Sequence, residues 1–195
     1  THTKWAGKTV HFARETDSTN LWGKRAWREE GAGHGELFVV EYQSAGRGRF
    51  TRRWSAPPDS AITMSILICP KFSPQKAPML TLVMGLSVAQ AVAEIGLDVG
   101  IKWPNDVVVS RKKICGILTE MTMKQDKIGC AVIGVGINVN MKSFPEEMAD
   151  KATSLYLESG HPFDRAQVVG LVMKHFEENY ERFVQTEDLS GLKPD

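Results

Sequence analysis

The chemistry-bearing residues concentrate in one stretch, Gly46-Arg47-Gly48-Arg49-Phe50-Thr51-Arg52-Arg53-Trp54, which puts four arginines within seven positions. No acidic residue stands nearer than Glu41 on one side and Asp59 on the other. Uncompensated charge of that density suits an anion, because guanidinium forks grip phosphate or carboxylate oxygens bidentately. The glycines let backbone approach a ligand closely, and Trp54 can lie over a base or an arginine face. A plainer reading of the same loop is a solvated basic segment that binds RNA without specificity.

Three further strings carry donors and charges. Lys102-Trp103-Pro104-Asn105-Asp106 sets an ammonium at the end of a strand, where Trp103 is expected to pack and Pro104 to stiffen the exit. A lysine fixed in this way is a point charge for an anionic intermediate. Asn105 and Asp106 read equally as an ordinary turn, with Asp106 otherwise ordering a metal or a hydroxyl. Ile133-Gly134-Val135-Gly136-Ile137-Asn138 is a strand weakened by two glycines, so a chain segment or a purine should approach its backbone. Asp17-Ser18-Thr19-Asn20 offers hydroxyl and amide groups at a helix start. The spacing of Gly46 and Gly48 imitates a dinucleotide fingerprint, but the third glycine is missing and a strand follows, which excludes that fold. Walker A, HExxH and GxSxG strings are absent.

The elements that must position these residues follow from periodicity. Strands are predicted at Thr9–Phe12, Glu36–Gln43, Ala61–Cys69, Val99–Trp103, Asp106–Val109, Lys113–Met123 and Ile128–Asn138, the last four joined by tight turns that imply antiparallel pairing. Helices are predicted from the Asp17–Asn20 caps to Glu30, from Pro78 for about 17 residues to Gly96, and from Asp164, where Val169, Val172, Met173, Phe176, Tyr180 and Phe183 form one apolar face. Ala77 to Ala93 carries no charge, and the stretch reads as a buried helix slightly short for a bilayer. Ser44 to Asp59 is a long loop. The total is an α+β domain on a mixed, mainly antiparallel sheet with packed helices.

With 195 residues, 42% hydrophobic, the chain is long enough for one domain and a packed core. Its 24 basic and 23 acidic residues leave a net charge of +1, which excludes a polycationic nucleic-acid coat. Cys69, Cys115 and Cys130 form no CxxC pair, so neither a disulfide framework nor a zinc site is indicated, and a reducing cytoplasm is expected. Cys115 reads as core, and His34 and His175 receive no chemical role.

Taken in order, Asp17-Ser18-Thr19-Asn20, Glu41-Tyr42-Gln43-Ser44-Ala45-Gly46-Arg47-Gly48-Arg49, Lys102-Trp103-Pro104-Asn105-Asp106, Lys113-x-x-Gly116-Ile117-Leu118-x-Glu120 and Gly134-x-Gly136-Ile137-Asn138 closely resemble the catalytic domain of biotin-protein ligases, over roughly residues 9 to 185. The resemblance implies a fold of the class II aminoacyl-tRNA synthetase and biotin/lipoate ligase kind. It implies activation of biotin by ATP and Mg2+ to biotinyl-5'-adenylate, then transfer to one lysine of a biotin carboxyl carrier protein domain of a biotin-dependent carboxylase.

By that resemblance Ser18, Thr19, Asn20 and Gln43 would bind the biotin head, Arg47, Gly48 and Arg49 the carboxyl and phosphate region, and Lys102 the carboxylate and α-phosphate. Lys102, Arg49 and Arg47 would be the catalytic set. Arg49, Arg52, Trp54 and Asn138 would bind the nucleotide, with Arg52 and Trp54 folding over the adenylate. No metal ligand is assigned. Residues 1–185 would form the catalytic domain and 186–195 the start of a linker to a small β-barrel beyond this chain. Thr51 stands where many family members have glycine. No helix-turn-helix precedes residue 9, so no DNA binding is expected, nor a membrane; a homodimer is left open. The rivals are a lipoate or octanoate ligase or transferase of the same fold, and a non-catalytic nucleotide- or RNA-binding module.

Overall fold

A computed structural model describes residues 2–50 and 52–192. Seven strands form one mixed sheet: β1 (Val10–Thr16), β2 (Leu37–Gln43), β3 (Ala61–Ile68), β4 (Val99–Lys102), β5 (Asp106–Val109), β6 (Lys112–Lys124) and β7 (Lys127–Asn138). Their order across the sheet is β1-β2-β3-β7-β6-β5-β4. Only β1 and β2 run parallel, joined by a helical crossover, and the other neighbours are antiparallel. β1 continues to Thr16, four residues past its predicted end, because the Val10–Thr16 backbone keeps pairing with Leu37–Gln43 although its outer side chains lie in solvent. A strand at a sheet edge needs no apolar alternation to be held by its ladder.

Helix α1 (Thr19–Arg25) runs into a π-helical turn, Ala26–Glu30, that ends at left-handed Gly31. It lies on one face of the sheet, over a small cluster of Ala26, Phe38, Leu67, Cys130 and Val132 with Trp22 and Trp27. The main core lies on the opposite face, between the sheet and two long helices, α2 (Met79–Glu94) and α4 (Arg165–Thr186). Covered on both sides, β3 is buried at every position, which explains its nearly unbroken apolar run.

The helical stretch Pro74–Glu94 is long and apolar enough by composition to cross a membrane, longer than the uncharged run alone indicated. Here it is the central core helix, with Leu80, Val83, Met84, Val88 and Val92 fully enclosed. Its polar residues have partners: Asn179 of α4 donates to Ser87 Oγ (3.0 Å) and Gln90 Oε1 (2.7 Å), pinning the two helices. Asp164 caps α4 by accepting from the Ala166 and Gln167 N–H groups. A short helix, α3 (Leu155–Ser159), went unpredicted because five residues give no periodicity to read. Leu189 and Leu192, in the segment read as a linker, fold back onto the main core; Pro194 lies outside the described residues.

Candidate active site

Residues opposed across paired strands share a face of the sheet. One such row runs Lys102, Asp106, Gly116, Gly136, Thr63 across β4, β5, β6, β7 and β3, and the neighbouring row carries Leu118, Gly134 and Ser65. These rows lie on the α1 side, away from α2 and α4. The face is therefore roofed by α1 near β2 and β3, and by the arginine loop near β6 and β5.

Glycines at 134 and 136 make this face a floor on which side chains rest directly. A Cβ added at Gly134 would stand 2.5 Å from Asn20 Oδ1, and one at Gly136 would stand 2.3 Å from Trp54 Cε2. What approaches the weak strand is thus the chain's own Asn20 and Trp54. The indole N–H of Trp54 is enclosed and has no acceptor among the described residues. An unmet buried donor costs about 1–3 kcal/mol, so it is available to a ligand oxygen.

Ser18, Thr19 and Asn20 are all buried at the start of α1. Ser18 holds the N-cap position without a side-chain cap bond, contrary to the expected hydroxyl cap. Gln43 of β2 takes over, its Oε1 accepting from Thr19 N (2.7 Å) and Thr19 Oγ1 (3.1 Å). Asp17 turns to Arg25 in a bidentate pair (2.7 and 3.0 Å), which holds its carboxyl at about 2. Asn20 donates to Leu118 O (3.1 Å) and Glu120 Oε2 (2.9 Å), and Ser65 Oγ lies 2.7 Å from both Asn20 Oδ1 and Thr19 Oγ1. The result is a compact lattice of neutral donors and acceptors, with no charge at its centre.

Charge is arranged at its rim. Glu120 faces Lys24 Nζ (3.0 Å) and Arg47 Nη1 (3.2 Å). Burial alone would raise its carboxyl, but bonds from Asn20 and Lys24 and the nearby Arg47 charge keep it below the ordinary range. Glu120, Lys24 and Ser65 carry no role in the sequence reading. Ser65 had a signal, as one of two hydroxyl residues, with Thr63, inside the apolar run AITMSILI, whereas the pairing of Lys24 with Glu120 is set by tertiary packing alone.

The arginine loop closes as a short hairpin. Arg47 bridges Arg53, Gly48 N donates to Arg52 O (2.7 Å), and Trp54 N donates to Gly46 O (3.1 Å). Arg49 Nη1 then donates to Asn105 Oδ1 (3.0 Å) and its guanidinium lies 4.8 Å from the Phe50 ring centroid, tying loop to turn. A cleft of about 240 Å³ opens there, with Arg49 its one charged lining residue beside Asn105, Leu118 and the start of α2.

Lys102 is exposed and makes no ion pair among the described residues, and Arg52 is likewise exposed and unpaired. Trp103 does not pack as expected: it is 75% exposed, in the turn that joins the edge strand β4 to β5. Asp106, the first residue of β5, pairs with Lys113 of β6 (2.7 Å), an ion pair between neighbouring strands. Asn138 is buried and donates to Thr153 O (3.1 Å), so its amide braces the segment after β7. Thr51 lies outside the described residues. Cys115 is fully enclosed, and burial drives its thiol far up, consistent with a core role. No group of three or more His, Cys, Asp or Glu side chains able to hold a metal occurs among the described residues.

Residues 12–138 match the Biotin/lipoate A/B protein ligase family. The bifunctional ligase/repressor BirA of Bacillus spizizenii is 42% identical over 156 residues, 78% of this chain and 48% of that protein. The chain thus spans about half the length of such relatives. The biotin--[acetyl-CoA-carboxylase] ligase of Paracoccus denitrificans is 30% identical over 172 residues, 83% of this chain and 68% of its own length. Among solved structures, the biotin protein ligase of Aquifex aeolicus in complex with biotin and ATP aligns with a TM-score of 0.77 and 37% identity, covering 91% of this chain and 72% of that one. The seven-stranded fold, the ordered motifs and these matches agree: the chain belongs to the biotin/lipoate A/B protein ligase family.

Proposed function

We propose that this chain activates biotin with ATP to biotinyl-5'-adenylate and passes the biotinyl group to a lysine of a carrier domain in a biotin-dependent carboxylase. The observation that carries this reading is the juxtaposition of a buried neutral lattice with cations at its edge, of which Glu120 and Asn105 hold Arg47 and Arg49 in place. Thr19, Asn20, Gln43 and Ser65 supply donors and acceptors suited to an uncharged cyclic urea, while Arg47, Arg49 and Lys102 supply charge suited to a carboxylate meeting a phosphate. The biotin and ATP of the Aquifex ligase, and the carboxylase in the name of the Paracoccus relative, support the same substrates and partner.

The first step joins a biotin carboxylate oxygen to the α-phosphorus and expels pyrophosphate. Two anions must meet, so fixed positive charge and orientation matter more than an acid-base pair. Arg47 is held against Glu120 and Arg49 against Asn105, so both reach the site already aimed. Lys102 shares the floor's face three strand steps from Gly136, about 14 Å at the backbone, and its long side chain shortens that gap. Magnesium would arrive on the ATP phosphates, which supply its oxygen ligands together with water. In the second step the carrier's lysine amine attacks the anhydride carbonyl and AMP leaves. No enzyme nucleophile takes part, and the arginine hairpin with Trp54 would exclude the water that hydrolyses the anhydride.

Pyrophosphate exchange into ATP tests this reading. Exchange should depend on biotin, resist lipoate, and fall at least 100-fold in Lys102→Ala with unchanged thermal unfolding. Exchange driven by lipoate would assign the lipoate branch of the family, and salt-sensitive RNA binding that persists in excess biotin would favour a binding module.

A further inference from the structure

The end of β3 that lies away from Gln43 carries a second feature, independent of the substrate reading. β3 and β7 pair up to Ile68 and Ala131, and the next pair in that register is Cys69 with Cys130. Both side chains belong to the same small cluster under α1, with Phe38, Leu67 and Val132, so they share a face as well as a register position. All three cysteines of the chain are free thiols, and Cys115 lies in the other core.

The ladder also fixes the kind of pair. Leu67 directs its N–H and C=O toward β2, meeting Glu36 O (2.9 Å) and Gly35 N (2.8 Å), and Cys69 N likewise turns that way to His34 Nδ1 (3.1 Å). Alternation then gives Ile68 and Ala131 the hydrogen bonds between β3 and β7 and leaves Cys69 and Cys130 as a non-hydrogen-bonded pair. In such pairs the Cα atoms lie about 4.5 Å apart and the side chains are at their closest. That spacing falls within the range a disulfide spans.

We propose that Cys69 and Cys130 are a dithiol pair that closes to an intramolecular cross-strand disulfide when the folded chain meets a disulfide oxidant such as glutathione disulfide. Cys69 is partly exposed whereas Cys130 is enclosed, so Cys69 reacts first. Its thiolate attacks one sulfur of the oxidant and expels one glutathione thiolate, which takes up a proton. Cys130, losing its own proton, then attacks Cys69 Sγ in that mixed disulfide and expels the second glutathione. One disulfide is broken and one formed, two thiols are oxidised, and two glutathione thiols are released. Burial raises both thiols, and Cys130 nearby raises Cys69 further, so closure is slow at neutral pH and quickens as pH rises. The bond would lock β3 to β7 beneath α1.

The test incubates the full chain, folded, with glutathione disulfide at pH 7 and pH 8.5, then blocks free thiols after unfolding and reads intact and peptide masses. The expected product has lost two hydrogen masses, retains one alkylatable cysteine (Cys115), and yields a linked Cys69–Cys130 peptide. Its unfolding midpoint should rise by roughly 5–10 °C and return with dithiothreitol. In Cys130→Ser the reaction should stop at a glutathione adduct on Cys69, and Cys69→Ser should leave Cys130 unmodified. A wild-type chain that stops at the Cys69 adduct overturns the proposal. So does one that shows no mass change under conditions that oxidise the unfolded chain.

Discussion

Two glycine-to-alanine changes should move stability in opposite directions, for reasons visible at the level of single contacts. At Gly134 the added Cβ meets Asn20 Oδ1 at 2.5 Å, Cγ at 3.1 Å and Nδ2 at 3.2 Å, so the amide must withdraw by about 1 Å. Asn20 is held by bonds of 2.7, 3.1 and 2.9 Å to Ser65, Leu118 O and Glu120, and a shift of that size takes them to the limit of hydrogen-bond length. Two neutral bonds at about 1 kcal/mol each and one to a charged group at about 2 put the loss near 3–4 kcal/mol before relaxation. For a domain of this size the midpoint should fall by roughly 6–16 °C. Biotin binding measured by titration calorimetry should weaken at least 10-fold, since the neutral lattice is the proposed head-group site. At Gly85, inside α2, the nearest atom to an added Cβ is Ile117 Cδ1 at 3.7 Å, an ordinary contact. Gly85→Ala should therefore stabilise by about 0.5–1 kcal/mol through helix propensity, with biotin affinity unchanged. A Gly134→Ala protein that melts with the wild type and binds biotin equally would refute the floor-and-lattice geometry.

Acid sensitivity should trace in part to Asp17. Arg25 holds its folded-state carboxyl at about 2, below the ordinary 3.8, so its stabilisation is complete above about pH 4 and lost as pH falls toward 2. The side chain is 39% exposed, which limits the contribution to about 1 kcal/mol, and Asp17→Asn should flatten that limb of a stability-against-pH curve. Glu177 of α4 accepts the backbone N–H groups of Lys4, Trp5 and Ala6 at 2.7–2.9 Å. Glu177→Ala should release this N-terminal segment, cost about 2–3 kcal/mol and speed its proteolytic trimming. Glu120→Gln keeps a partner for Asn20 but uncouples Arg47 and leaves Lys24, only 15% exposed, without its counter-charge. It should lose about 1–2 kcal/mol in chemical denaturation and slow adenylate formation more than it weakens biotin binding. Arg49→Ala frees the loop from Asn105 and should raise the rate at which adenylate escapes into solution.

The mixed sheet and its core helices were legible because β3, α2 and α4 carry strong patterns: a nearly unbroken apolar strand, a helix apolar nearly all round, and an amphipathic face begun by the Asp164 cap. The Asp106–Val109, Lys113–Met123 and Ile128–Asn138 strands fell within one or two residues of β5, β6 and β7, since short turns leave little freedom in a meander. Partner choice was illegible wherever it depends on contacts distant in sequence. Nothing in Asp17–Asn20 says that the helix is capped by Gln43, and nothing in Glu120 says that it gathers Asn20, Lys24 and Arg47. The expectation for Trp103 fails because the aromatic falls in the turn between β4 and β5, where it is exposed. The glycines of β7 signalled close approach correctly, but the approaching groups are Asn20 and Trp54.

Direct capture of the intermediate tests whether neutral polar groups and cations on one sheet face join a vitamin's carboxylate to a nucleotide. The chain should be incubated with biotin, ATP and magnesium, quenched, and the small molecules read by mass spectrometry. Biotinyl-5'-adenylate should appear in the complete reaction and be missing with Lys102→Ala. ATP left intact by a folded chain that binds biotin, or equal yield from Lys102→Ala, would contradict it.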